Sequence, residues 1–224
     1  MDNKGVGVKD PGRLMLITDS TLFPDKKAFL RASEGALRGG VDTIQLREKA
    51  LSARDLLGLA HKLRELTIRF NAKLLINERV DIAMLAGADG VHLPVKAFSP
   101  SQARALMGDK AIIGISTHSA AGALQAEAGG ADYVTLGPVY HTASKAPYGE
   151  PIGQKPLTEA AAHLKIPLYA LGGIKKERVG EVLEAGASGV ALISAILAGK
   201  DTESRAREIT DELIKYNETC RRAL

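Results

Sequence analysis

Four short segments of this chain echo one another: GGVD at 39–42, AGADGV at 86–91, GGADYV at 129–134 and AGASGV at 185–190. Each is built of small residues of the kind that end helices, and each leads directly into an apolar, β-branched run. A unit that ends a helix and opens a strand, repeated along the chain, forces β and α segments to alternate. Eight such apolar runs are present: RLMLIT (13–18), VDTIQLR (41–47), AKLLIN (72–77), GVHLP (90–94), AIIGIS (111–116), YVTLG (133–137), PLYALGG (167–173) and GVALIS (189–194). The four repeats fall before the even-numbered runs. Near-continuous hydrophobicity is what strands covered on both faces require.

Helical patterns lie between the runs. SARDLLGLAHKLRELTIRF (52–70) places Leu56, Leu59, Leu63 and Leu66 on one face, SPSQARALM (99–107) opens on a Ser before Pro, and KKERVGEVLEAG (175–186) ends on Gly. Eight strands, each followed by a helical segment, predict a single-domain α/β fold, a (β/α)8 TIM barrel over residues 13–224 with a C-terminal helix. Residues 1–12 form a polar N-terminal extension. An open doubly wound sheet competes, but it rarely needs eight strands in such regular alternation. Whether Ile209, Leu213 and Tyr216 of the last helix pack on the barrel or on a partner is left open, a homo-oligomer included.

Composition narrows the classes. Trp is absent and aromatics make up 4% of 224 residues, so the core is expected to be aliphatic and alanine-rich. The net charge of +4 comes from scattered Lys and Arg rather than a basic stripe, which argues against nucleic acid. The start MDNKGVGVKDPG has no signal-peptide h-region, no apolar run approaches a membrane span, and Cys220 is the lone cysteine. The expected setting is cytoplasmic and reducing, without a membrane partner.

Barrel chemistry collects at the C-terminal ends of the strands. GGI (172–174) and SAI (194–196) follow the seventh and eighth runs, where backbone N–H groups beside a helix start cradle phosphate; a tight turn alone would also explain the glycines. In QLREK (45–49), strand alternation puts Gln45, Arg47 and Lys49 on one face. They point either to an anionic ligand or to a buried ion-pair network with Glu48 or Glu78. His118 in STHS is placed to shuttle protons, or to be a satisfied donor without chemistry. His92 points to the mouth or the core, and His61 and His163 read as surface residues. The loop 137–153, GPVYHTASKAPYGEPIG, is long, irregular and rich in hydroxyls, with one lysine, Lys145. No metalloenzyme spacing, GxSxG or cysteine dyad occurs. The residues alone indicate a barrel enzyme for a small phosphorylated substrate.

The succession ITD, QLREK, INERVDIA, GADGVHL, IGISTHS, GADYVTLGPVYHTASK, LGGI and ISAI, spanning about 13–197, resembles the thiamine phosphate synthase / TenI family. That resemblance implies a thiamine-biosynthesis transferase. It joins a hydroxymethylpyrimidine diphosphate to a hydroxyethylthiazole phosphate and releases pyrophosphate through a dissociative step, with Mg2+ on the leaving group. It implies that Gln45, Arg47, Lys49 and Asn77 handle the pyrimidine diphosphate. Ser116 and Lys145 would bind diphosphate oxygens, and Thr142, Ser144, Gly173, Ile193 and Ser194 would hold the thiazole phosphate. Arg47, Lys145 and His118 are the catalytic candidates.

The chain departs from the synthase pattern at two places. Glu78 stands where synthases have an aspartate, making it the candidate metal ligand, and no carboxylate lies between Pro94 and Pro100. HLPVKAFSP is more similar to the TenI branch. That branch includes a metal-free thiazole tautomerase in which His118 would be the acid–base group. A non-catalytic barrel that binds a thiamine precursor is the third reading.

Overall fold

A computed structural model of the chain describes residues 9–142 and 150–222, the side chains of 220–222 excepted. All eight apolar runs form strands: β1 (Leu14–Ile17), β2 (Thr43–Leu46), β3 (Lys73–Asn77), β4 (Gly90–Leu93), β5 (Ile112–Thr117), β6 (Tyr133–Leu136), β7 (Leu168–Leu171) and β8 (Gly189–Leu192). Each pairs in parallel with its sequence neighbours, and β8 returns to β1, closing the barrel. The helices that follow are α1 (Lys26–Arg38), α2 (Ala53–Arg69), α3 (Val80–Leu85), α4 (Pro100–Met107), α5 (Ala120–Ala128), α6 (Lys155–Ala161), α7 (Val179–Glu184), α8 (Ser194–Leu197) and α9 (Thr202–Arg222).

The four repeats are helix stops of one construction. Gly40, Gly87, Gly130 and Gly186 take φ of +101°, +60°, +92° and +96°. Their N–H groups, and those of the residues after them, bond back to the preceding helix. Gly40 N donates to Leu37 O and Val41 N to Ala36 O, the paired pattern of a Schellman cap. The fourth residue of each repeat then ties the helix end to a strand. Asp42, Asp89, Asp132 and Ser188 accept the backbone N–H of Leu14, Leu74, Ile113 and Leu168 at 2.9, 2.8, 2.7 and 3.2 Å. Each also donates its own N–H to the same residue's carbonyl. The repeat is therefore a stitch between an even strand and the odd strand before it, made four times around the barrel's N-terminal end.

Strand alternation sorts the core into two. Leu16, Ile44, Leu74, Ile76, Val91, Ile113, Val134 and Val190 face outward under the helices, in an aliphatic, alanine-rich layer as expected. Inside the barrel, Met15, Ile17, Leu75, Ile112 and Ala191 pack with Tyr133 and Tyr169, so the interior is less aliphatic than the composition suggested. The Tyr133 and Tyr169 rings meet edge to face, their centroids 5.5 Å apart. Gly114, opposite Tyr133 in the β5–β6 register, leaves the space; a Cβ there would lie 2.0 Å from the tyrosine ring.

Residues 9–12 lie across the barrel bottom. Lys9 Nζ donates to Ala111 O, Thr43 Oγ1 to Pro11 O and Tyr169 OH to Gly12 O. At the other end of the chain, α9 packs on this barrel rather than standing free. Ile209 and Leu213 are buried, and Thr202 and Thr210 bond to carbonyls of α1 and Gly39. Among the described residues no helix is long and apolar enough to cross a membrane.

Candidate active site

The C-terminal ends of the strands enclose a cavity of about 1510 Å³. That exceeds the usual size of a pocket for one small molecule. Its lining brings together Gln45, Arg47, Asn77, Ser116, Thr142, Gly173, Ile193 and Ser194. Ser144 and Lys145 lie outside the described residues.

Gln45, next to last in β2, faces inward and is 1% exposed. Its Nε2 donates to Asn77 Oδ1 at 3.3 Å, while Oε1 is buried without a partner. An unpaired buried acceptor costs free energy that a ligand N–H would recover. Arg47, two positions further along the chain, is half-buried and lines the same wall. Among the described residues no ion pair involves it, so the predicted alternative of a network with Glu48 or Glu78 is not formed. Glu48 is instead taken up by the N–H and hydroxyl of Ser20.

His92 forms the cavity floor. The sequence left its direction open; β4 alternation turns Gly90 and His92 inward and Val91 and Leu93 out to the helices. Its Nδ1 lies 2.8 Å from Tyr133 OH and its Nε2 2.8 Å from Ser116 Oγ. Burial, seconded by the Arg47 charge, pushes its pKa down to about 3, so the ring is neutral across the physiological range.

The opposite wall is made by the loops after β7 and β8. Gly172 and Gly173 have φ of +97° and +64°, and the chain after β6 lies directly on them. A Cβ on Gly173 would come 2.5 Å from His141 O. Val139 N and Tyr140 N extend the β6–β7 pairing by donating to Leu171 O and Gly172 O. The glycines thus serve a tight turn and a close approach together. Ser194 and Ala195 open α8 with N–H groups that have no acceptor within a helix. Tyr140 is pinned further, donating to Glu181 at 2.7 Å and accepting from Gln154 at 2.7 Å, with the Arg178 guanidinium 4.2 Å above its ring.

Three sequence candidates stand elsewhere. Lys49 is exposed and outside the cavity lining, because β2 ends at Leu46 and alternation stops with it. His118 is likewise exposed and off the lining; its Nδ1–H donates to Gly137 O at 2.5 Å, the satisfied-donor alternative. Glu78 occupies a left-handed turn, φ +64°, exposed and also off the lining. Magnesium needs oxygen ligands held in octahedral geometry. Among the described residues no three His, Cys, Asp or Glu gather as a metal site. Among the described residues the donor set therefore offers no protein-only cage for a magnesium ion. Conversely, Lys175, Arg178 and Arg205 join the rim unforeseen. Arg205 comes from α9, far in sequence from any strand end, and nothing local marked it.

The profile of the thiamine monophosphate synthase family matches residues 14–196. The chain is 53% identical over 196 residues to a Geobacter sulfurreducens protein provisionally named a thiamine-phosphate synthase, covering 88% of this chain and 92% of that one. It is 40% identical over 199 residues to the thiamine-phosphate synthase of Clostridium novyi, covering 89% and 97%. Among solved structures, thiamine phosphate pyrophosphorylase from Pyrococcus furiosus superposes with a TM-score of 0.83 at 33% identity, over 91% of this chain and 96% of that one.

Proposed function

The chain belongs to the thiamine monophosphate synthase family, and from that membership we propose that it condenses hydroxymethylpyrimidine diphosphate with hydroxyethylthiazole phosphate. The observation that carries the reading is the division of the cavity lining into two arcs suited to two ligands. Gln45, Arg47, Asn77 and Ser116 stand on or just past β2, β3 and β5, and Gly173, Ile193 and Ser194 stand across the barrel after β7 and β8.

In this reading the Arg47 guanidinium meets the diphosphate, and the orphan Gln45 Oε1 accepts from the exocyclic amine of the pyrimidine. The bond between the pyrimidine methylene carbon and the diphosphate oxygen breaks, and its electron pair leaves with pyrophosphate. The thiazole nitrogen then donates its lone pair to that carbon and forms the new C–N bond. Arg47 stabilises the charge that develops on the leaving group, the interaction that lowers the barrier. His92, neutral beneath, places no positive charge against the pyrimidine cation. The N–H groups of Gly173, Ser194 and Ala195 hold the thiazole phosphate, with Thr142 beside it. Ser144 and Lys145 belong to this set by resemblance. Magnesium accompanies the diphosphate as part of the substrate, and no step depends on a protein-held ion. We assign residues 13–224 to one catalytic domain and place it in the cytoplasm.

The tautomerase alternative drew on His118, and that ring stands off the cavity with its Nδ1–H engaged. The test is to mix purified protein with both substrates and magnesium, and separately with the thiazole carboxylate phosphate. Thiamine phosphate and pyrophosphate in equal amounts are expected; isomerisation of the carboxylate alone would replace this reading with the tautomerase.

A further inference from the structure

We propose that Tyr133 and His92 act as positioning residues that fix Ser116 as a hydrogen-bond donor toward the cavity. This rests on the reading of Ser116 as a ligand for diphosphate oxygens.

The three side chains form one line, from β6 through β4 to β5. Tyr133 is fully buried, and among the described residues its hydroxyl has His92 Nδ1 as its hydrogen-bond partner, at 2.8 Å. Two arrangements satisfy that distance. If Nδ1 carried the ring proton, the phenol oxygen would accept it and the phenol hydrogen would point into the packed interior without an acceptor. Buried polar hydrogens are rarely left so. If the phenol donates instead, Nδ1 is the acceptor and the proton of the neutral ring sits on Nε2. Burial holds the phenol protonated, so it remains able to donate.

The consequence passes to Ser116. With the proton on Nε2, that N–H donates to Ser116 Oγ at 2.8 Å. The serine oxygen is then an acceptor from below, and its own hydrogen is free to turn to the cavity it lines. An anionic oxygen needs a donor. In the reverse tautomer Ser116 would spend its hydrogen on Nε2 and present lone pairs to a diphosphate, which repel it. The position of the Tyr133 ring is held by packing: Tyr169 lies edge-on to it, and only glycine at 114 leaves room for it.

The first measurement is the ring-nitrogen NMR spectrum of histidine-labelled wild-type protein, with the His92 signals assigned by their loss in His92→Gln. The proposal expects the Nε2–H tautomer at neutral pH without substrates; the Nδ1–H tautomer overturns it. Being independent of turnover, this arm stands even if the protein makes no thiamine phosphate, which would defeat the functional reading alone. The second measurement is a double-mutant cycle. Tyr133→Phe keeps the ring and removes the donor, and should lower kcat about tenfold. Ser116→Ala should then cost clearly less in the Tyr133→Phe background than in wild type, because the serine is no longer oriented. Full additivity of the two substitutions would mean that the Tyr133 hydroxyl acts independently of Ser116, and would overturn the proposal.

Discussion

At Arg47 a half-buried guanidinium faces a cavity with no carboxylate partner among the described residues, and two chain positions away Gln45 holds an unpaired acceptor. A protein leaves such groups unsatisfied where a ligand completes them. These two were legible in the sequence because both lie on, or one residue past, a strand whose period is two. The same period misled beyond the strand. Lys49 is put on the wall by continuing an alternation that stops at Leu46; His118, read from its place at a strand end rather than from the period, stands one residue past β5, exposed and off the cavity lining. His92 shows the reverse: the sequence left its direction open, and its depth is set beside Gly114 of β5 and Tyr133 of β6, which no local pattern records. Two outcomes follow at this scale. Glu78→Gln should move the magnesium concentration for half-maximal activity by less than about threefold, since an exposed side chain away from the cavity contributes little; a magnesium titration of the variant checks it. His118→Ala should keep kcat for thiamine phosphate formation within about threefold on the same grounds, read in a steady-state assay.

Elements are set by the repeated stop. A left-handed glycine ends the helix, and the polar residue two positions on binds the odd strand, so one short motif specifies a helix end, a strand start and a neighbour. That is why the strand count and order could be read before any contact was known. At Asp89 the stitch also meets Arg64, 2.7 Å away. Asp89→Ala would leave the Leu74 N–H and the guanidinium without this acceptor, and is expected to cost about 2 kcal/mol of stability with kcat unchanged, measured by urea unfolding alongside activity. The β6–α6 connection was less legible. Its length announced function, but its anchoring by Tyr140 to Glu181 and Gln154 joins residues 41 and 14 positions apart.

Over the whole molecule, the barrel shuts a neutral histidine between its floor and its ligands, and pH reaches that arrangement through folding. The His92 pKa falls from 6.5 to about 3 on burial. Between those values the unfolded chain binds a proton that the folded one refuses, so stability rises with pH across this window and is lost as pH drops through it. From pH 7 to pH 5 the loss is about 2 kcal/mol from this residue. His92→Gln should flatten that part of the profile in denaturant titrations at the two pH values. Closure of the barrel also explains what the sequence could not show: Arg205 reaches the rim only because α9 folds back over α1 and α8, a contact between distant parts of the chain.

The central claim is that the mouth holds two anionic substrates on separate arcs. Calorimetric binding of each substrate to Arg47→Met and to Gly173→Ala tests it most directly. The account predicts that Arg47→Met weakens the pyrimidine diphosphate at least about tenfold and leaves the thiazole phosphate nearly unchanged. Gly173→Ala, whose Cβ would press on His141, should do the opposite. Loss of both ligands from either variant, or of neither from both, would contradict it.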